Sequence, residues 1–188
     1  MTRLWLLVVV GLSLSSGMAF ASNAAQEVKK IPDQPYGEYL AGLHAAIHND
    51  LAAAANFHEQ ALALDPENRM ILSKSFTIFI ADGRYDLALS AAHKLDEAKA
   101  SDSIVQMFLF LEDMKSGAYD VSLGRLDNIG SAGVYGLFKP LFQAWVSQSQ
   151  GKVTEAEANI SKMLEDKSFK EFKQFHAGLF YDYIGKTQ

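Results

Sequence analysis

Two histidines one helical turn apart are the strongest candidates for chemistry in this 188-residue chain. His44 and His48, in the run His44-Ala45-Ala46-Ile47-His48, would share one helix face, which is how helices present imidazoles to zinc. A helical metalloprotease site also carries a glutamate as general base, and this stretch has none. A third ligand would have to be His58 from the neighbouring helix. Surface or half-buried histidines are the plainer reading, so no metal is expected. His93 and His176 stand alone, and no Ser/His/Asp set, glycine-rich phosphate loop or paired-carboxylate pattern occurs. Glu112-Asp113 and Glu155 with Glu157 read as solvated helix faces. The residues give no argument for catalysis and none for a cofactor.

The elements that would hold these residues are announced by a repeat. Glycine recurs every 34 residues, at Gly83, Gly117, Gly151 and Gly185, and one step earlier stands Asn49. With glycine at about 7% of an average chain, three further hits in one register have a chance of roughly 3 in 10,000. Asn is the other residue that readily accepts a left-handed backbone. Five residues after each mark, except the last, comes a small side chain: Ala54, Ala88, Ser122, Ala156. The phrase Gly83-Arg84-Tyr85-Asp86-Leu87-Ala88-Leu89 returns as Gly117-Ala118-Tyr119-Asp120-Val121-Ser122-Leu123.

Each recurring residue has a mechanical role. The Gly or Asn ends a helix in the left-handed region. Asp86 and Asp120 then fall at the start of the next helix, where free amides favour negative charge. The small residue lets two helix backbones approach. Leu72, Phe76 and Phe79 supply an apolar face at i, i+4, i+7, and Phe110 and Met114 do the same with Val105 or Met107 one turn earlier. Pro66 stops the second helix, and Asp65 or Asn68 can cap the third. The expected helices are 36–48 and 51–63, 69–81 and 85–96, 102–115 and 119–128, 137–149 and 153–165, then 169–184 alone. Pro140 is expected in the first turn of its helix. No useful stretch alternates with period two, so the fold class is all-α.

A 34-residue helix–turn–helix unit resembles the tetratricopeptide repeat. The likeness is strongest over Pro35 to Asn68, with Gly42 in the first helix, Ala54 and Ala61 in the second, and Ala61-Leu62-Ala63-Leu64-Asp65-Pro66-Glu67-Asn68 at the end. It extends to about Gly185, although Phe110 and Ala144 replace Gly42 in the later repeats. The resemblance implies a right-handed solenoid of about four and a half repeats, at 35–68, 69–102, 103–136, 137–170 and a partial 171–188. It also implies that the first helix of each repeat lines an inner groove. One 34-residue column of that groove would be Tyr36, Met70, Ile104, Phe138 and Phe172. A second would be Tyr39, Ser73, Met107, Leu141 and Phe175, and a third Leu43, Thr77, Leu111, Trp145 and Leu179. The groove is therefore expected to be apolar and centred on Met107, Phe138, Leu141 and Trp145. It would take an extended or helical peptide. The Lys, Arg and Asn set with which family members clamp a terminal carboxylate is absent; part of each column could equally be core.

The ends point to export. Arg3 forms a positive n-region, Leu4 to Leu14 an apolar run, and Ala19-Phe20-Ala21 a cleavage site. The run is shorter than the ~20 residues that span a bilayer. A signal peptide at 1–21 is expected, with cleavage before Ser22 and a polar lead-in over 22–34. Without cysteine the chain has no disulfide and no lipid attachment site. A net charge of −5 without a Lys/Arg run argues against nucleic acid and anionic membranes as partners. The expected protein is a non-catalytic periplasmic or secreted scaffold that holds a peptide or helix of another envelope protein. The alternatives are a structural arm of a larger envelope assembly or, less favoured, a metal-binding protein or enzyme centred on His44 and His48. The final helix carries Phe169, Phe172, Phe175, Phe180, Tyr181 and Tyr183, more than one face usually buries. A continuing solenoid, a docked partner or a second copy is expected there.

Overall fold

The structure is a computed structural model, and it describes residues 34–130, 133–165 and 167–186. The expected signal peptide and nearly all of the lead-in lie outside the described residues. Each turn of the 34-residue series takes a left-handed backbone, with φ of 59° at Asn49 and 77°, 78°, 74° and 73° at Gly83, Gly117, Gly151 and Gly185. These turns reverse the chain between helices, and they set the period of the whole architecture.

The helices run α1 Tyr36–Ile47, α2 Leu51–Leu64, α3 Arg69–Ala81, α4 Tyr85–Glu97, α5 Ser103–Ser116, α6 Tyr119–Asn128, α7 Gly133–Ser149, α8 Val153–Glu165 and α9 Lys170–Tyr183. They lie in one compact unit from Pro35 to Gln188. α1 pairs with α2, α3 with α4, α5 with α6 and α7 with α8; each pair packs on the next, and α9 closes on α8. The second helix begins where the small residue allows close approach: Ala54, Ala88, Ser122 and Ala156 have no exposed surface. No helix among the described residues is long and apolar enough to cross a membrane.

Local chemistry explains most boundaries. Asp50, Asn68 and Asp102 accept hydrogen bonds from the amides of Ala53, Ile71 and the pair Ile104 and Val105. Asp86 and Asp120 sit in the first turns of α4 and α6, as their charge favours, without making a side-chain cap. One boundary differs from expectation. α7 starts at Gly133 rather than 137, so Pro140 stands in the helix interior and the expected repeat boundary at 136/137 falls inside α7. Pro140 removes a backbone hydrogen bond, at a typical cost of about 3 kcal/mol. Tyr135, packed on the cluster of Phe110, Leu126, Ile129 and Val146, supplies the tertiary contact that extends the helix toward its N-terminus.

Among the described residues the core falls into clusters, each of which joins one helix pair to the next or to α9. Leu72, Phe76 and Phe79 of α3 meet Ala88, Ala91 and Leu95 of α4 and Val105, Phe108 and Leu109 of α5. Phe76 and Phe108 pack edge to face at 5.3 Å between ring centres. Each such aromatic contributes about 1.5–3 kcal/mol by leaving water. Polar ties supplement the apolar ones. Arg125 of α6 bridges Asp113 of α5 and Asp96 of α4, and Gln106 Nε2 donates to Asp96 and to Ser101. Burial alone would raise the Asp96 pKa, but the bonds from Arg125, Gln106 and Ser101 outweigh it and hold the carboxyl below its usual value. Arg84 similarly joins the α3–α4 turn to Glu59, Asn56 and the Ala52 carbonyl of α2.

Gly117→Val tests the turn geometry. A β-branched side chain at φ 78° is strained although nothing stands within 4 Å of its Cβ position. Thermal and urea unfolding are expected to show a loss of about 1–2 kcal/mol.

Candidate functional site

The five first helices place one member each of the leading column on a common side. Tyr36, Met70 and Ile104 are 51%, 50% and 51% exposed, so the first three repeats carry a regular line of half-open apolar side chains. Leu111 of α5 is also exposed, and the neighbouring positions Ser73 and Thr77 of α3 are open and small. The line changes character at the fourth repeat. Phe138 is half-buried, stacked on Phe142 at 5.8 Å and edge-on to Phe172 at 5.4 Å. Trp145 packs on Phe180 and Tyr183 at 5.5 and 5.4 Å. Met107 is half-buried against the Phe110 cluster.

Two expected groove residues belong to the core instead. Tyr39 is 8% exposed and sets its ring edge-on to His58, and Leu141 is 4% exposed among Ala144, Ala156 and Ile160. The 34-residue step gave these positions the same register as Phe175, which is 63% exposed. The reason for the difference is the following layer: α2 and α3 cover Tyr39, and α8 and α9 cover Leu141. The expected centre at Met107, Phe138, Leu141 and Trp145 is therefore largely closed by packing, and the open apolar line lies toward repeats one to three. Sequence reading also missed Leu40 and Ile47, exposed on α1. A signal existed, since the same step maps Leu40 onto Phe108 and Phe142, which contact the preceding pair at Phe76 and Phe110.

The histidines separate. His44 and His48 are exposed with ring centres 4.4 Å apart. His58 turns inward, fully buried, and its Nδ1 shares a 3.0 Å hydrogen bond with Ser75 Oγ of α3. Its ring occupies the space that a side chain at Gly42 would need, since a Cβ there would stand 2.7 Å from His58 Cδ2. The three do not form one site, and among the described residues no group of three or more His, Cys, Asp or Glu is placed to hold a metal. Burial lowers the His58 pKa from its usual 6.5.

Three clefts are lined by residues outside the apolar line, one of them, about 460 Å³, at the α8–α9 connection beside Leu164, Lys167 and Lys170, and two beside α4. Of these two, one of about 200 Å³ runs between α2, α3 and α4, with Leu62, Pro66, Leu87 and Ala91 in its walls. Its rim carries Lys94, paired with Glu67 at 2.9 Å. The other, about 390 Å³, is polar and open, with Asp96 and Gln106 engaged in the Arg125 network.

Stacked helix pairs, left-handed turns at a 34-residue step and buried small residues together define a tetratricopeptide-type solenoid. Solved structures agree. The chain is similar to YrrB, a tetratricopeptide repeat protein described as having an unusual peptide-binding site, with TM-score 0.60 and 16% identity over 79% of this chain and 77% of that one. It is similar to MamA with TM-score 0.60 and 16% identity over 77% of this chain and 85% of that one. At this identity the likeness is one of fold. No family model and no curated protein matches the sequence.

Two measurements follow from these placements. Because the folded His58 takes up a proton less readily than the unfolded one, its contribution to stability is full above pH 6.5. It is lost as the pH falls from there toward the lowered folded value, and His58→Gln is expected to flatten that slope in pH-dependent urea unfolding. Phe138→Ala with Trp145→Ala is expected to destabilise the fold by at least about 3 kcal/mol, read as a lowered Tm, because both rings brace the α7–α9 layer.

Proposed function

We propose that the protein is an exported, non-catalytic scaffold that holds an extended or helical segment of another envelope protein against the open side of its first helices. The carrying observation is the line of Tyr36, Met70 and Ile104, three half-exposed apolar side chains at one position of three successive repeats. A solvent-exposed apolar line of fixed spacing is costly to keep wet and suits a partner with matching apolar spacing. The stacked pairs hold the contact residues in place before binding, which reduces the ordering cost. A peptide-binding site is attributed to YrrB, a protein of the same fold, and that supports a protein ligand for this one. The three-histidine metal reading loses its third ligand, because His58 is buried and bonded to Ser75. The periplasm, or the medium, is the proposed location, resting on the Arg3, Leu4–Leu14 and Ala19-Phe20-Ala21 pattern.

The test is to express the full chain in a Gram-negative bacterium, recover it from the periplasmic fraction, and identify the chain crosslinked to it. The recovered protein is expected to begin at Ser22. Ile104→Glu, at an exposed position, is expected to leave the Tm unchanged and weaken the purified partner by about 2 kcal/mol or more. A protein retained in the cytosol with Met1 present would overturn the location. Undiminished binding by Ile104→Glu and Met70→Glu would overturn the surface.

A further inference from the structure

The 34-residue step makes Gly42, Phe76, Phe110, Ala144 and Gly178 equivalent, one on each first helix. The first four are buried against the second helix of their own repeat. At Gly42 the neighbours are His58 and the Ala54 carbonyl of α2. Gly178 is exposed, with nothing within 4 Å of where its Cβ would stand. Phe175, one turn away, is 63% exposed; of its equivalents Tyr39 and Leu141 are covered, Met107 is half-buried and Ser73 is open. The position that α2, α4, α6 and α8 close at Gly42, Phe76, Phe110 and Ala144 of the other four first helices is thus open on α9, at Gly178.

The four covering helices share one chemistry. Each places a small residue opposite the first helix and further buried residues four and seven places on: Ala54, His58, Ala61; Ala88, Ala92, Leu95; Ser122, Leu126, Ile129; Ala156, Ile160, Met163. All twelve are at most 3% exposed. The interface that would form on α9 continues this established one, and Gly178 admits a backbone as close as Gly42 does. Gly185, at φ 73° with Lys186 after it, repeats the turn of Gly151 and Lys152.

We propose that the face of α9 around Phe175 and Gly178 is a second docking site, which takes an amphipathic helix from a partner protein. The occupant carries a small residue at i and apolar residues at i+4 and i+7, and it packs on α9 as a tenth helix. This surface is separate from the Tyr36–Met70–Ile104 line and recognises a helix by its close packing rather than by extended-chain contacts.

A labelled synthetic peptide with the sequence of residues 152–165, which has the required pattern, is the probe. Saturable binding to the full protein, followed by fluorescence polarisation, is expected. Gly178→Lys, which puts a charge in open space and leaves the fold intact, and Phe175→Ala are each expected to weaken it about tenfold or more. Gly124→Lys on α6, also in open space, and Ile104→Glu are expected to leave it unchanged. Joining a copy of residues 153–165 after Lys186 is expected to raise the Tm and abolish binding of the free peptide. Absence of saturable binding, binding that survives Gly178→Lys, or binding lost in Ile104→Glu would each overturn the proposal. The last two would do so without touching the groove reading, which its own partner tests.

Discussion

Close approach of two helix backbones within each repeat is the constraint on which the rest of this structure depends. It requires a side chain no larger than alanine or serine at one crossing point, and Ala54, Ala88, Ser122 and Ala156 meet it with complete burial. Around that point volume is exchanged between facing positions. Gly42 makes room for His58, Phe76 fills the space beside Ala92, and Ala144 lies in the same cluster as Ile160. Packing at interior density tolerates such trades because it depends on the summed volume more than on which helix supplies it. The replacement of Gly42 by phenylalanine in later repeats is therefore compatible with an unchanged backbone plan.

That constraint also decides which apolar residues are left for a partner. A first helix is covered on one side by its own second helix and on another by the next pair, so only a narrow strip stays open. Tyr36, Met70 and Ile104 fall on the strip. Tyr39 and Leu141, three residues further along their helices than Tyr36 and Phe138, do not. The same three-residue step leads from Met70 to the open Ser73 and from Phe172 to the open Phe175, so it is the helices packed over Tyr39 and Leu141, not the rotation alone, that bury them. The proposed binding surface is thus a by-product of the stacking, with spacing fixed by the repeat.

Polar contacts between repeats act on top of the apolar core. Arg125 holds carboxylates from two other helices, and Arg84 reaches back across the preceding pair. The Arg125 group is part-buried, so its geometry matters more than that of exposed contacts such as Arg84 with Glu59 or Lys115 with Glu112. It fixes how one pair is rotated on the next, a quantity that non-directional apolar contact specifies poorly.

What the sequence determined by itself was everything that depends on neighbours near in the chain. The left-handed turns at Asn49 and the four glycines, the stop at Pro66, the small crossing residues and the all-α class follow from backbone sterics and helical periodicity, and most helix ends fell within a residue. Only the tertiary structure decided the outcomes that depend on contacts between layers. It carried α7 back to Gly133 through the packing of Tyr135, placing Pro140 inside a helix against its local preference. It turned His58 toward Ser75 and away from His44 and His48, and it buried Tyr39 and Leu141 while leaving Phe175 open. Equivalent positions in a repeat share a register but not a neighbour, and burial is a property of the neighbour. A period read along the chain gives the first and is silent on the second.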